Sequence, residues 1–401
     1  MDPVPLTYLT PTLARRADGM VRAVVDHETL VTKLRGIVGK DAVFAHPAEL
    51  LVYEYDGSVD GAVETAAPSA VALPTTAQQV ADIVLLARQA GLPVVARGAG
   101  TGLSGGAVPQ QGGIIISLTR MNRILEIDRE DRTALVEPGV INLELSEETL
   151  GHGFFFAPDP SSQKACTIGG NVAENSGGPH CLKYGVTTNH ILGLEIVLPD
   201  GRIVWTGGRS TGHSGYDLTG AMVGSEGMLG IVTKALVRLT PSPEATLVLL
   251  APFGDIESAS HATSRIIAAG IVPAALEMMD NLTIQAVEPA YHAGYPMDAG
   301  AVLLIEIDGV ADDVRGTGEE IAAICVESGA TEVRSATERA ERDLLWKGRK
   351  MALGAMGRLA PNYYLHDTVV PRSKLPATLR RRSPSLCPFV SIRWETAWWP
   401  V

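Results

Sequence analysis

The chain has little cysteine and no long apolar run. Four of its 401 residues are cysteine, and no two of them have the C-x-x-C spacing of a zinc site or redox motif. No apolar run reaches the roughly 18 residues of a membrane-spanning helix. The N-terminus lacks the basic-then-apolar layout of a secretory signal. These absences predict a cytoplasmic protein without an integral membrane segment or a disulfide framework.

The chain also lacks an excess of positive charge. It has 33 Lys and Arg against 45 Asp and Glu, a formal net charge of −12. An acidic chain repels the nucleic-acid backbone, so we expect no nucleic-acid partner. With 46% hydrophobic and 19% charged residues over 401 positions, the composition is that of a globular protein of two or more domains.

Glycine is abundant, with 42 residues that cluster between positions 98 and 230. The stretch RGAGTGLSGG (97–106) contains a G-x-G-x-x-G motif after a strand-like run, which is typical of NAD-binding turns. Such a turn opens directly into a helix. Here Pro109 and the glycine pair 112–113 break any helix, and the β-rich IIISL (114–118) follows. The pattern therefore predicts a loop between two strands, and NAD binding is the less favoured alternative.

The spacing of apolar residues and turns predicts an α+β chain of several parts. These are an N-terminal helical segment (1–39), a glycine-rich domain (40–241), a second domain (242–380) and an atypical tail (381–401). In the second domain, two β-α-β patterns follow each other, which is typical of a ferredoxin-like fold.

Several elements are predicted individually. Amphipathic helices are expected at HETLVTKLRGIVG (27–39) and at TTAQQVADIVLLARQAG (75–91), each ending at a glycine. A hairpin is expected around Pro199-Asp200-Gly201, and a single helix over 341–356. The stretch 167–178, TIGGNVAENSGG, has no regular period and is predicted as an irregular loop.

Six stretches, in this order, resemble the FAD-linked oxidases of the vanillyl-alcohol-oxidase type. The resemblance is strongest to the group of the glycolate oxidase flavoprotein subunit and D-lactate dehydrogenase. The stretches are PVVARGAGTGLSGG (93–106), VEPGV (136–140), PDPSS (158–162), TIGGNVAENSGG (167–178), KYG (183–185) and GSEGMLGIVT (224–233). The resemblance implies a PCMH-type FAD-binding domain of two α/β subdomains, followed by a ferredoxin-like cap domain that is incomplete at the C-terminus.

The resemblance implies FAD as the cofactor, and the loop chemistry agrees with it. A loop of small residues can turn successive N–H groups toward a pyrophosphate without a helix. For Arg97 a structural role at the strand end is an equal alternative, and for Glu226 a structural role is favoured. The implied cofactor contacts are Arg97, Gly98, Ala99, Gly100, Thr101, Gly102, Leu103, Ser104, Gly105, Pro138, Asp159, Pro160, Ser161, Thr167, Ile168, Gly169, Gly170, Asn171, Ala173, Asn175, Gly177, Gly178, Tyr184, Glu226, Gly227, Ile231 and Val232.

The implied activity is oxidation of a small 2-hydroxy acid, with hydride transfer from C2 to flavin N5 and a non-nicotinamide electron acceptor. Arg349 matches the Trp-x-x-Arg arginine of the family, and its planar guanidinium suits a substrate carboxylate. The alternative is a solvated helix arginine. Tyr364, His366 and Lys374 are weaker candidates for lining the pocket. The resemblance also implies companion iron-sulfur or flavin subunits as partners. It implies a cytoplasmic location that includes a peripheral position at the inner membrane face.

The sequence departs from the family pattern at about Arg381. The metal-dependent members continue into His-x-Gly-Asp-Gly-Asn-x-His, and none of the nine histidines here lies in that context. No metal ligand is therefore predicted in this chain. A truncated chain without the metal and base motif is expected to turn over substrate poorly, so a catalytically impaired flavin-binding remnant is an alternative function.

Overall fold

A computed structural model of the protein describes residues 26–58, 66–210, 215–359, 369–371 and 374–380. Its α-helices are α1 (His27–Val38), α2 (Pro47–Leu50), α3 (Ala77–Ala90), α4 (Asn142–Leu150), α5 (Ile168–Glu174), α6 (Cys181–Tyr184), α7 (Leu218–Met222), α8 (Ile256–Ala268), α9 (Asn281–Tyr291), α10 (Ala311–Glu327), α11 (Arg339–Lys350), α12 (Ala352–Met356) and α13 (Leu375–Arg380). None of the described helices is both long and apolar enough to span a membrane.

Within the described residues, the strands form three sheets of four or five strands and one short pair. They are β1 (Val43–Phe44), β2 (Ala70–Ala72), β3 (Val94–Arg97), β4 (Ile114–Ser117), β5 (Ile124–Asp128), β6 (Thr133–Val136), β7 (Phe154–Phe155), β8 (Ile191–Val197), β9 (Ile203–Gly207), β10 (Ile231–Arg238), β11 (Thr240–Pro241), β12 (Ala245–Phe253), β13 (Ala275–Asp280), β14 (Ala301–Gly309) and β15 (Arg334–Ala336).

The first sheet has the order β1-β2-β4-β3, and β4 pairs in parallel with β2 and β3. Helix α3 begins where the Thr76 side chain accepts a hydrogen bond from the Gln79 N–H, and it ends at Gly91 in a left-handed conformation. Leu34 of α1 and Ile83 of α3 are fully buried in one core over this sheet. Both predicted helices are confirmed, and α1 packs as part of the same core as α3.

The second sheet is antiparallel, with the order β5-β6-β10-β8-β9. The predicted hairpin is confirmed, since β8 pairs with β9 and Gly201 takes a φ of 83° in the turn. Helices α4 and α5 cover one face, where Leu145 and Ile168 are buried.

The expected irregular loop at 167–178 is wrong, because residues Ile168–Glu174 form helix α5. The Thr167 side chain caps its start by accepting from the Gly170 N–H, and Asn175 ends it with a φ of 48°. Two glycines in the first turn lower helix propensity. The packing explains them: a Cβ on Gly169 would lie 2.6 Å from Cβ of Pro138. Tertiary contact therefore outweighs local propensity here.

The remaining sheet has the order β13-β14-β12-β15 and is antiparallel throughout. Two successive β-α-β units with this strand order give the predicted ferredoxin-like arrangement. Helices α8 and α10 bury one face of the sheet, and α9, α11 and α12 bury the other. Helix α9 was not predicted. The single helix expected over 341–356 is wrong, because it is interrupted at Met351 (φ −92°, ψ 2°).

Candidate functional site

Five of the six stretches that carry the family resemblance meet at helix α5 or directly after it. On one side of the helix, a Cβ on Gly98 would overlap the Oγ1 atom of Thr167. At its first turn, the Gly169 N–H donates to the Pro138 carbonyl at 2.7 Å. The glycine loop 97–106 and the VEPGV turn are therefore both in contact with the start of α5.

Two further stretches, 224–233 and 158–162, join the same assembly at the end of α5. The Gly224 N–H donates to the Val172 carbonyl at 2.8 Å, and the Glu226 N–H donates to the Ala173 carbonyl at 2.9 Å. Gly178 packs so closely on PDPSS that a Cβ there would overlap the main-chain oxygen of Asp159. Residues that are up to about 130 positions apart thus surround one short helix.

The loop between β3 and β4 has the geometry of an anion cradle. Gly100 and Gly105 have left-handed φ values of 70° and 78°. In the described part of the chain, no main-chain N–H from Gly98 to Ala107 donates to a protein acceptor. No helix follows Gly105, since the chain passes into β4. A glycine loop whose successive N–H groups have no acceptor among the described residues fits a pyrophosphate. Because this loop leads into a strand, the NAD-binding turn is wrong.

Arg97 supports this loop from inside. Its side chain is 7% exposed, Nη1 donates to the Ala107 carbonyl at 3.1 Å, and the guanidinium lies 5.5 Å from the centre of the Tyr53 ring. Burial lowers the pKa of Arg97, partly offset by the nearby Asp56 carboxylate. These contacts favour the structural role for Arg97, with its charge beneath the loop.

Acidic side chains surround the same loop. A Cβ on Gly106 would lie 3.2 Å from Glu174 Oε1 and 3.7 Å from Glu226 Oε2. Burial, followed by Glu226 and Asp56, raises the pKa of Glu174. A bound dianion would therefore rely on main-chain N–H groups, and it would favour the protonated form of Glu174.

Other predicted residues have identifiable partners. Asn171 is buried, and its Oδ1 accepts from Asn142 Nδ2 at 3.0 Å. Gly227 and Ile231 line a cavity of about 590 Å³ beside α3 and β8. The Tyr184 hydroxyl donates to Asp308 Oδ2 of β14 at 2.5 Å, so this side chain reaches the second domain.

Arg349 lies on the buried face of α11, and the alternative of a solvated arginine is wrong. Its Nε and Nη2 atoms lie 3.0 and 2.9 Å from Oε2 of Glu277, and both side chains are almost fully buried. Gly348 allows this packing, because a Cβ there would lie 2.7 Å from the Tyr295 ring. Lys374 is exposed at the start of α13. Tyr364 and His366 lie outside the described residues.

His180 belongs to a polar cluster that sequence reasoning missed. Its Nδ1 lies 2.8 Å from Asp159 Oδ2, and its Nε2 lies 3.0 Å from Glu306 Oε1. Trp346 Nε1 donates to the other oxygen of Glu306. Lys350 Nζ lies 3.5 Å from Asp159. Glu306 is 126 positions from His180, so no local signal could have paired them.

Comparison with known proteins agrees with this geometry. A family model for the FAD binding domain matches residues 68–207, and one for the C-terminal domain of FAD linked oxidases matches residues 242–384. The chain is 46% identical over 364 residues to glycolate oxidase subunit GlcD of Escherichia coli, covering 91% of this chain and 72% of that protein. The chain belongs to the FAD-linked oxidases. FAD is accordingly its cofactor.

Other relatives and structures agree. The chain is 36% identical to D-lactate dehydrogenase of Archaeoglobus fulgidus, covering 78% of this chain and 68% of that protein. Alkyldihydroxyacetonephosphate synthase has a TM-score of 0.74 at 21% identity, covering 92% of this chain and 77% of that one. Substrate-bound p-cresol methylhydroxylase has a TM-score of 0.69 at 21% identity, covering 82% and 71%. At such identity these two structures support the PCMH-type fold alone.

Proposed function

We propose that this protein catalyses the FAD-dependent oxidation of a small 2-hydroxy acid of the glycolate or D-lactate type. Relatives with these substrates in their names support the proposal. The structural observation that carries it is Arg349, a buried cation on α11. In the described part of the chain, its Nη1 donates to no acceptor. A planar guanidinium that contacts Glu277 through Nε and Nη2 has the shape and charge to bind a substrate carboxylate through Nη1.

The proposal gives each half of the chain one task. Residues 40–241 would hold FAD, with the N–H groups of the 97–106 loop on the pyrophosphate and the other predicted contacts around α5. Residues 242–380 would form the cap that orients the substrate through Arg349, with Lys374, Tyr364 and His366 as further candidates. Bound FAD would supply the acceptor for the hydride that leaves C2, and the proton of the substrate hydroxyl would pass to water.

The proposal extends to the electron acceptor and location. GlcD is named as a subunit of glycolate oxidase, so we propose that electrons pass to a companion subunit and not to a nicotinamide. An iron-sulfur or flavin subunit would serve as this acceptor. For the location, we propose a peripheral position at the inner membrane face.

The test is anaerobic mixing of the FAD-bound protein with a panel of D- and L-2-hydroxy acids. We expect the oxidised-flavin absorbance to disappear with a D-2-hydroxy acid or glycolate, and Arg349→Lys to weaken substrate binding more than it changes FAD content. Bound FAD that no member of the panel reduces would contradict the proposed activity and favour the alternative of a flavin-binding remnant. Failure to bind FAD would contradict both.

A further inference from the structure

A buried polar cluster joins the FAD-binding half to the second half. Asp159 and His180 come from the first half, and Glu306 comes from β14 of the second. The exposed fraction is 19% for the His180 side chain, 12% for Asp159 and 13% for Glu306. Charged groups this deep are costly unless they are paired with good geometry. The cluster therefore depends on the relative positions of its members more strongly than a surface ion pair does.

The two carboxylates require a particular state of the His180 ring. Each ring nitrogen lies within hydrogen-bond distance of one carboxylate, at 2.8 and 3.0 Å. Neutral imidazole has one N–H donor, whereas imidazolium has two. Burial alone would lower the pKa of His180, but Asp159 and Glu306 raise it well above its usual value. His180 thus bridges the two halves as a double donor.

The same carboxylates hold α11. Trp346 donates to Glu306, and the Trp346 ring centre lies 5.6 Å from that of His180. Lys350, one turn further along α11, lies 3.5 Å from Asp159. Arg349 lies between these two positions in the sequence and is almost fully buried. The position of this helix relative to Asp159 therefore also sets the position of Arg349.

Asp159 in turn contacts the predicted wall of the flavin site. A Cβ on Gly178 would overlap its main-chain oxygen. A continuous series of contacts thus runs from Gly178 through Asp159, His180 and Glu306 to Trp346.

We propose that His180 is a positioning residue that, by donating to both Asp159 and Glu306, fixes α11 and Arg349 against the FAD-binding half. The expected effect on KM rests on the proposed function. The expected effect on the position of α11 rests on the contacts alone. A second attachment lies beside it, since Lys183 and Tyr184 both contact Asp308 of β14. Because this second attachment remains, we expect the chain to fold without His180.

The structural consequence is tested by hydrogen exchange in the FAD-bound full chain. The variants are His180→Gln, Glu306→Gln, the double variant and His261→Gln, which makes the same substitution at an exposed site on α8. His180→Gln and Glu306→Gln are each expected to speed hydrogen exchange in α11 about tenfold. This change corresponds to a moderate loss of local stability for the removal of a charged hydrogen bond. The double variant should speed exchange by less than the product of the two single effects, because both substitutions remove the same His180–Glu306 contact. Exchange equal to that of His261→Gln in both single variants would overturn the proposal.

The kinetic consequence is a split between KM and kcat. With a hydroxy acid that reduces the flavin, His180→Gln and Glu306→Gln are expected to raise KM about tenfold and to change kcat and FAD content less, because Arg349 loses its position. Unchanged KM in both would overturn the positioning role. If no hydroxy acid reduces the wild-type flavin, the proposed function fails and the exchange data still decide the contact. If His180→Gln does not fold, hydrogen exchange and KM of Glu306→Gln provide both tests.

Discussion

At the scale of single residues, the candidate site depends on side chains whose partners lie far away in the sequence. Arg349 was predicted from a four-residue pattern, but its ion pair with Glu277 is formed across 72 positions. The pattern places an arginine on a helix, and only the packing of α11 on β13 makes that arginine a buried cation. Its chemistry is therefore a property of the fold.

Loss of the Arg349 charge should destabilise the protein. Arg349→Met leaves the Glu277 carboxylate buried without this partner, which is expected to lower the free energy of unfolding by about 3 kcal/mol. Urea unfolding of the FAD-bound chain measures the loss. Lys347→Met, two positions away on the exposed side of α11, should cost under about 1 kcal/mol. Equal losses in the two variants would show that the pair contributes little.

Gly98 tests whether close approach matters at the glycine loop. Gly98→Ala would push its Cβ into Thr167 Oγ1, and we expect weaker FAD binding because the loop must move away from α5. Gly36→Ala is the matched control, since a Cβ there meets nothing within 4 Å and lies inside α1. It should stabilise the chain by about 0.5–1 kcal/mol without affecting FAD. Flavin titration followed by thermal unfolding separates the two effects, and unchanged FAD affinity in Gly98→Ala would contradict this role.

At the scale of elements, helices with ordinary caps and apolar faces were predictable, and α5 was not. Helix α3 has a Thr cap, a regular apolar face and a terminal glycine, all of which are local. Helix α5 has a glycine pair in its first turn and only two turns in all, so its local signal is weak. It forms because the loop 97–106, the VEPGV turn and the 224–226 turn all contact it.

Substitution of the threonine caps of α3 and α5 allows a direct comparison of the two helices. Thr76→Ala in α3 and Thr167→Ala in α5 each remove one side-chain acceptor and should each cost about 1 kcal/mol of stability. Only Thr167→Ala should also weaken FAD binding, because Thr167 contacts the glycine loop. Denaturant unfolding and flavin titration of the same preparations measure both. The assignment of α5 to the cofactor site would be wrong if both variants bound FAD equally well.

At the scale of the whole molecule, the two halves meet through charged groups, and this makes stability depend on pH. Burial would raise the pKa of Asp159, but His180 outweighs it and lowers the pKa. The raised pKa of His180 gives stability that is fully present below its ordinary value of 6.5 and is lost as pH rises through the folded value. The Asp159 contribution is present above its ordinary value of 3.8 and is lost as pH falls through the lower folded value.

The difference in unfolding free energy between wild type and His180→Gln should depend on the ionisation of Asp159 at low pH and of His180 at high pH. We expect it to be largest between about pH 4 and 6.5 and to shrink at higher pH as His180 loses its proton. Urea unfolding across pH 4 to 9, in steps of about one unit, measures this profile. A difference that grows above pH 7 would contradict a charged His180.

The sequence by itself determined the family, the cofactor, the strand on each side of the glycine loop and the ferredoxin-like order of the second half. The family and the cofactor follow from the resemblance of six short stretches to known oxidases. The strands and their order follow from apolar periodicity and turn residues, which act over a few residues. Only the tertiary structure decided that TIGGNVAE is helical, that Arg349 is paired with Glu277, and that His180 bridges Asp159 and Glu306. Those features depend on contacts between segments as much as 126 positions apart. The Asp159 and Glu306 carboxylates raise the pKa of His180 against the effect of burial, so its charge also depends on the tertiary structure.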